Sequence, residues 1–296
     1  MEERIITDQD IERYGMWMYQ NEKNSRTIQK YCGCLKEFQK FMEGKNVEKQ
    51  DVIAWKENRK AKLAPTTVNG ILAALNGFFK YRGWHDCTVK FYRVRRQIFS
   101  QEQKELHKPE YERLVVAAKA QGNERLSLLL QTIASTGIRV SEVPYITVEA
   151  AQKGVAEVDC KGKIRIVFLT RALCRMLKHY AQKRGIRTGM IFVTRSGRAM
   201  DRSNIWREMK RLGAQAGVSG QKIFPHNLRH LFARTYYNQE KDLSRLADIL
   251  GHSSVNTTRI YTMESGRNHA RQLEKLNLLV RNGAYNRIPL LLYSRS

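Results

Sequence analysis

The 296-residue chain carries 53 Lys and Arg against 28 Asp and Glu. Its formal net charge of +25 and pI near 10.1 far exceed the roughly 2–8 net charges that keep a small domain soluble, so a polyanionic partner is expected. Five cysteines, Cys32, Cys34, Cys87, Cys160 and Cys174, are odd in number and lack paired C-x-x-C spacing, which excludes a disulfide framework and a zinc ribbon.

The length suffices for two domains with separate cores. The charged start MEERIITDQD has no apolar core of signal-peptide length, and no run reaches membrane-spanning length, so the expected location is the cytoplasm.

Residues 1–84 read as a small helical bundle. Asp8 or Asp10 can cap a first helix carrying Ile11, Tyr14 and Met18, and Ser25 begins a second with Ile28, Tyr31, Leu35, Phe38, Phe41 and Met42 at three- and four-residue steps. A third spans Glu48 to Trp55. The fourth opens at Pro65 and carries Val68, Ile71, Leu72, Leu75, Phe78, Phe79 and Tyr81 before Gly83. At helical spacing these aromatics read as core, not as platforms for stacked bases.

Periodicity fades over 85–107, where VKFYRVRRQIF gathers Lys90, Arg93, Arg95 and Arg96 into a basic linker able to neutralise phosphates. A second domain is expected over 108–282, with helices at 109–120 and 125–135 leading to Thr136-Gly137-Ile138-Arg139-Val140-Ser141-Glu142. Gly137 ends a helix there, and Glu142 is placed to pair with Arg139. VAEVDCKGKIRIVFL, residues 155–169, alternates about Lys161-Gly162-Lys163 as a β-hairpin does. Further on, 171–184 reads as a helix, 190–193 as a short strand and 202–213 as a basic helix. Between Lys161 and Arg211 fifteen Lys or Arg meet only two acids, Asp201 and Glu208. Two-metal phosphoryl transfer needs several carboxylates to hold its cations, so arginine must supply that charge here, and no cofactor is expected.

The segment 224–262 concentrates the chemistry. Pro225 suits a first helical turn; Leu228, Leu231, Phe232 and Tyr236 give that helix an apolar face, while His226 and Arg229 share another. A second helix runs from Asp242 to Leu250, stopped by Gly251, so His252 lies just past a helix end, and a polar run leads into a short helix carrying Tyr261. Two imidazoles, a guanidinium and a phenol suggest chemistry on a phosphate, because a planar guanidinium matches two non-bridging oxygens. A phenol with a reference pKa of about 10 is ionised to roughly one part in a thousand at neutral pH, so a nucleophilic Tyr261 needs a cationic site or a base. His226 and His230 have the spacing of the zinc motif H-E-x-x-H, but Asn227 stands in place of the glutamate and Arg229 would set a cation beside the metal, so no metal site is read here.

The strings TGIRVSE, HNLRH and LGHSSVNTTRIYT, three motifs in the expected order along the chain, resemble the tyrosine recombinase (phage integrase) family. SRTIQKYCGCLKEFQKF and TTVNGILAALNGFFKYRGW resemble the second and fourth helices of its N-terminal, SAM-like core-binding domain. The resemblance implies a mainly α chain with a small β-hairpin (α+β): domain 1–84 gripping DNA from the face opposite the catalytic domain, linker 85–107, catalytic domain 108–282 and tail 283–296. It implies a site-specific recombinase that cuts and rejoins double-stranded DNA without metal or ATP, for integration or excision of a mobile element or a related exchange. In that scheme Tyr261 is the nucleophile forming a 3′-phosphotyrosyl bond, and Arg139 and Arg229 hold the non-bridging oxygens. Lys161 is the general acid, with Lys163 its rival because the family's turn is commonly longer; His226 is the base and His252 a hydrogen-bond donor to the phosphate. Arg198, Arg202, Arg207, Lys210 and Arg211 join Arg93, Arg95, Arg96 and Lys163 as DNA-contact candidates. A helix over 264–281, with Leu273, Leu276, Leu279 and Val280 on one face, packs on a neighbouring protomer in the family or folds back on its own domain. The expected assembly is a tetramer on DNA and a monomer when free, with an accessory DNA-bending protein among the partners. No arm-binding domain is read ahead of residue 10, the pattern of a simple core-site enzyme.

Two rivals share parts of this pattern. A type IB topoisomerase uses a similar pocket and would relax a supercoiled plasmid lacking any target site. A DNA-binding regulator with a decayed pocket would form no covalent adduct.

Overall fold

The computed structural model describes residues 3–94, 104–160, 163–252, 254–261 and 274–276, without the side chains of Cys160 and Lys163. The chain divides into two compact units, Met1–Arg96 and Gln97–Ser296.

The first unit holds α1 (Asp8–Gln20), α2 (Ser25–Met42), α3 (Lys49–Lys62) and α4 (Pro65–Tyr81). Thr7, not Asp8 or Asp10, caps α1. Its hydroxyl accepts from the Asp10 N–H while the Asp10 carboxylate accepts from the Thr7 N–H, a reciprocal box that uses the acid three residues on. Nor does α3 stop at Trp55. Its apolar spacing fades there, but the helix formers that follow carry it on to Lys62, with the Arg59 guanidinium 3.9 Å from the Trp55 ring centre and 2.8 Å from Glu37. The chain leaves the helix at extended Leu63, and Pro65, which keeps Ala64 extended, opens α4. Tyr14, Phe38, Trp55, Phe78, Phe79 and Trp84 are buried in one cluster, so these aromatics are core. Cys87 and Val89, from the stretch where periodicity fades, close the same cluster.

In the second unit α5 (Lys108–Ala120), α6 (Glu124–Thr136), α8 (Arg171–Lys183) and α9 (Arg202–Gln215) enclose the main core. A 3-10 turn (Val140–Tyr145) and α7 (Val148–Lys153), which no periodicity announced, lead to a hairpin of β1 (Val155–Cys160) and β2 (Lys163–Phe168). The strands pair antiparallel from Val155 with Phe168 to Cys160 with Lys163. β2 turns Ile164, Ile166 and Phe168 to solvent and Arg165 and Val167 inward. The strand expected over 190–193 is only a pair of isolated bridges, Thr147 with Met190 and Val193 with Ala199; Ile191 and Phe192 are buried in the core instead of pairing in a sheet. The chain then builds α10 (Pro225–Glu240), α11 (Leu243–Leu250) and α12 (Val255–Thr258), followed by a 3-10 turn from Arg259 to Tyr261. Of the helix expected over 264–281, all but 274–276 lies outside the described residues, as does the tail.

Candidate active site

Two helix ends meet at α10. α6 stops at Gly137, whose φ of +65° is left-handed, and a Cβ there would stand 2.4 Å from a Phe232 ring carbon, so only glycine fits. α11 stops at Gly251, φ +64°. Into the gap α10 sends Arg229, only 1% exposed. Its Nη1 donates to the Gly137 carbonyl at 2.6 Å and its Nη2 to the Leu250 carbonyl at 2.8 Å. Carbonyls at helix C-termini are unsatisfied and carry partial negative charge, which is the environment a buried cation needs. Burial and then Arg139 lower the pKa of Arg229, while the Tyr261 hydroxyl raises it. A guanidinium remains charged through such shifts. Its buried Nε has no hydrogen-bond partner among the described residues.

The other side of α10 is anchored. Asn227 Nδ2 donates to the carbonyls of Lys104 and Lys222, each at 2.7 Å, and Arg234 pairs with Glu105 and donates to the Leu106 carbonyl at 2.9 Å. Asn227, which replaces the glutamate of the zinc-like spacing, is therefore a buried staple.

His252 follows Gly251, and its Nε2 lies 2.9 Å from Arg229 Nη2. Only the guanidinium can donate in that pair, so Nε2 accepts and the proton sits on Nδ1, which donates to Thr258 Oγ1 at 2.8 Å. Burial, then Arg229, Arg139 and Arg165, pull the His252 pKa down to about 4, which keeps this neutral tautomer at neutral pH. The donor role expected of His252 thus requires Arg229 to release Nε2 and the ring proton to sit on Nε2, with Thr258 Oγ1 then donating to Nδ1.

Tyr261, 3% exposed, is seated in a small cluster with Ala233, Leu246 and Leu250, against Phe232, Tyr236 and Tyr237. Its ring stacks at 12° on His252, 6.0 Å between centres, and meets His230 edge-on at 4.7 Å. His230 in turn meets His226 at 4.7 Å. Burial, His226 and Arg229 lower His230 to about 4. His226 is exposed at the start of α10; burial of part of its ring, then Arg229, Arg139 and Arg202, lower its pKa, favouring the neutral form that can accept a proton.

Arg139 caps the 3-10 turn after Gly137. Its Nη1 lies 2.8 Å from Glu142 Oε1 and its backbone N–H 2.8 Å from Oε2, and its side chain remains 32% exposed. Glu142 is 2% exposed, and its Oε2 also takes Arg165 Nη2 at 2.5 Å. Burial would raise Glu142, but the Arg139 backbone and the two guanidinia outweigh it and hold the carboxylate below its ordinary range.

Arg139, His226, Arg229, His252 and Tyr261 are thus brought together. Lys161 lies outside the described residues, as does the side chain of Lys163. Three participants escaped the sequence reading: Thr258, His230 as a ring contact of Tyr261, and Arg165. Thr258 carried a signal, since it precedes Tyr261 by one helical turn. Arg165 carried a fainter one: a cation opposite Val158 in the hairpin register.

Among the DNA-contact candidates Arg93, Arg198, Arg202, Arg207 and Arg211 are exposed, whereas Lys210 is half-buried, bonded to the Gly220 carbonyl and 5.5 Å from the ring centre of Trp206. Arg95 and Arg96 lie outside the described residues. A cavity of about 550 Å³ lined by Arg125, Tyr180, Arg184 and Arg195 contains none of the gathered groups.

The phage integrase family model matches residues 104–267, and the phage integrase N-terminal SAM-like domain model matches 11–85. The chain is similar to tyrosine recombinase XerA of Pyrococcus furiosus, 28% identical over 94% of this chain and 98% of that one. It is also similar to tyrosine recombinase XerD of Vibrio cholerae, 28% identical over 86% and 82%. Among solved structures, the crystal structure of XerA recombinase aligns with 93% of this chain and 100% of its own, at 26% identity and TM-score 0.51. A lambda integrase dimer bound to a COC′ core site aligns with 90% and 79%, at 17% identity and TM-score 0.73, and so shares the fold.

Proposed function

This chain belongs to the phage integrase family of tyrosine recombinases, enzymes that cleave and rejoin DNA, and from that premise we propose the residues that carry the reaction. Tyr261 Oη attacks a scissile phosphodiester; a bond forms between the phenolic oxygen and phosphorus, and the bond to the 5′ oxygen breaks. The DNA is left as a 3′-phosphotyrosyl ester and a free 5′ hydroxyl. The phenol proton passes to His226, whose lowered pKa keeps it neutral and receptive. The departing oxygen takes its proton from Lys161. Rejoining reverses these steps with a 5′ hydroxyl as nucleophile. One phosphodiester is exchanged for another, so no ATP is consumed.

Arg139 and Arg229 have different tasks. Arg139 is partly open to solvent and meets the phosphate as a bidentate donor. Arg229 is tied by two carbonyls and contributes a fixed positive field with Nε uncommitted among the described residues. When a phosphate oxygen draws Nη2 away from His252, the neutral imidazole carries its proton on Nε2 and becomes the donor, while Thr258 Oγ1 donates to Nδ1. The observation that carries this reading is the convergence of Tyr261, His252 and Arg139 on the buried guanidinium of Arg229.

The enzyme acts on double-stranded DNA in the cytoplasm as a tetramer assembled on paired sites. The lambda integrase tetramer bound to a Holliday junction, of the same fold at TM-score 0.69, supports that assembly, and no described helix is long and apolar enough to cross a membrane. The natural process is integration or excision of a mobile element or a related exchange. The test uses a randomised pool of nicked duplexes that trap a covalent enzyme–DNA ester. The wild-type chain captures a defined sequence, and relaxation of a plasmid lacking it stays at background. Efficient relaxation without that sequence would favour the topoisomerase reading.

A further inference from the structure

Arg165 has no role in the steps just described, yet the site is built around it. Among the described side chains it is the charged residue on the inward face of the hairpin, opposite Val158 and next to Val167, and it is 12% exposed. It reaches past the hairpin to two places. Nη2 meets Glu142 Oε2 at 2.5 Å, and Nη1 donates to the Ile249 carbonyl at 2.6 Å, near the end of α11 and three residues before His252. Room for its stem comes from Gly251, where a Cβ would stand 2.4 Å from Arg165 Cδ and 2.9 Å from Nε.

Electrostatics decides what this arrangement does. Arg139 paired alone with buried Glu142 would make a neutral couple, and a phosphate would have to compete with that carboxylate for the guanidinium. Arg165 takes part of the carboxylate's charge, so the three groups together carry +1, and Arg139 is the exposed member at 32%. We infer that Arg165 is a positioning residue for strand cleavage: it shares the charge of Glu142 so that Arg139 stays available to the phosphodiester, and it registers the strand following Lys161 against the helix end that presents His252. The inference rests on the reading of this site as a strand-cleaving pocket.

The test is single-turnover adduct formation on the nicked duplex that the wild-type enzyme selects from the randomised pool. Arg165→Ala slows adduct formation by about tenfold or more while gel-shift affinity for the same duplex stays within about threefold, because the side chain is largely buried against Glu142 and the Ile249 carbonyl. Arg165→Lys recovers part of the rate, a lysine being unable to span both partners. In a Glu142→Gln background, where no carboxylate charge needs sharing, Arg165→Ala costs less than about threefold. A merely architectural arginine would cost the same factor in both backgrounds. Equal costs in the two backgrounds, or a folded Arg165→Ala enzyme that cleaves at the wild-type rate, would overturn the inference. Absence of any wild-type adduct would instead remove the strand-cleavage reading, and this inference with it.

Discussion

Arg229 is buried where a cation would ordinarily be costly, and the carbonyls at the ends of α6 and α11 offset that cost. The same confinement leaves His230 and His252 with pKa values near 4 against an ordinary 6.5. Between those limits the unfolded chain binds more protons than the folded one. Stability is therefore fully present above about pH 6.5 and declines as pH falls towards about 4. Chemical-denaturation midpoints measured from pH 7 to pH 4 should fall steadily, and His252→Gln or His230→Gln should flatten the decline; a slope unchanged in both variants would refute the assignment. Tyr261, Arg229 and His226 were legible in the sequence because they lie in one contiguous segment whose helical spacing sorts them onto faces. Arg165 and Thr258 were not. A strand's inward face depends on what packs beneath it, and here β2 sends three apolar side chains to solvent while burying an arginine.

Helix stops, more than helices, set the geometry at the scale of the element. Gly137 and Gly251 could both be read as stops from sequence, and both are left-handed. What the sequence could not give was that the carbonyls beside them converge on one guanidinium from α10. Gly137→Ala should cost about 1–3 kcal/mol for the left-handed backbone alone, with the Phe232 contact adding to it. The check is the denaturation midpoint, and a variant as stable as wild type would mean that the stop is not needed. Alternation predicted the hairpin but also suggested a strand over 190–193. That stretch has the strand's composition without a strand beside it, so its apolar residues enter the core from isolated bridges. On α9, Arg207 is exposed beside Asn204, with Trp206 47% exposed next to it. Arg207→Ala should weaken duplex binding and lower the slope of log affinity against log salt by about 1 if it contacts one phosphate. An unchanged slope would move that contact elsewhere.

Across the whole molecule, an excess of positive charge is combined with a site that concentrates guanidinium and imidazole groups; among the described residues no cluster of three or more His, Cys, Asp or Glu is arranged to hold a metal. The division into a helical first unit and a catalytic second one was legible because helical periodicity lapses between two self-sufficient apolar patterns. The packing of Cys87 and Val89 into the first core, and of Leu106 into the second, was hidden by the basic residues around them. In the proposed reaction Tyr261 becomes esterified to DNA with arginine supplying the electrophilic charge. The most direct measurement is covalent capture of the selected nicked duplex in excess chelator, comparing wild type with Tyr261→Phe. Wild type should give a protease-sensitive protein–DNA adduct on the 3′ phosphate, and Tyr261→Phe should bind the duplex and give none. An adduct that survives loss of the hydroxyl, or one that vanishes from wild type when divalent cations are removed, would contradict it.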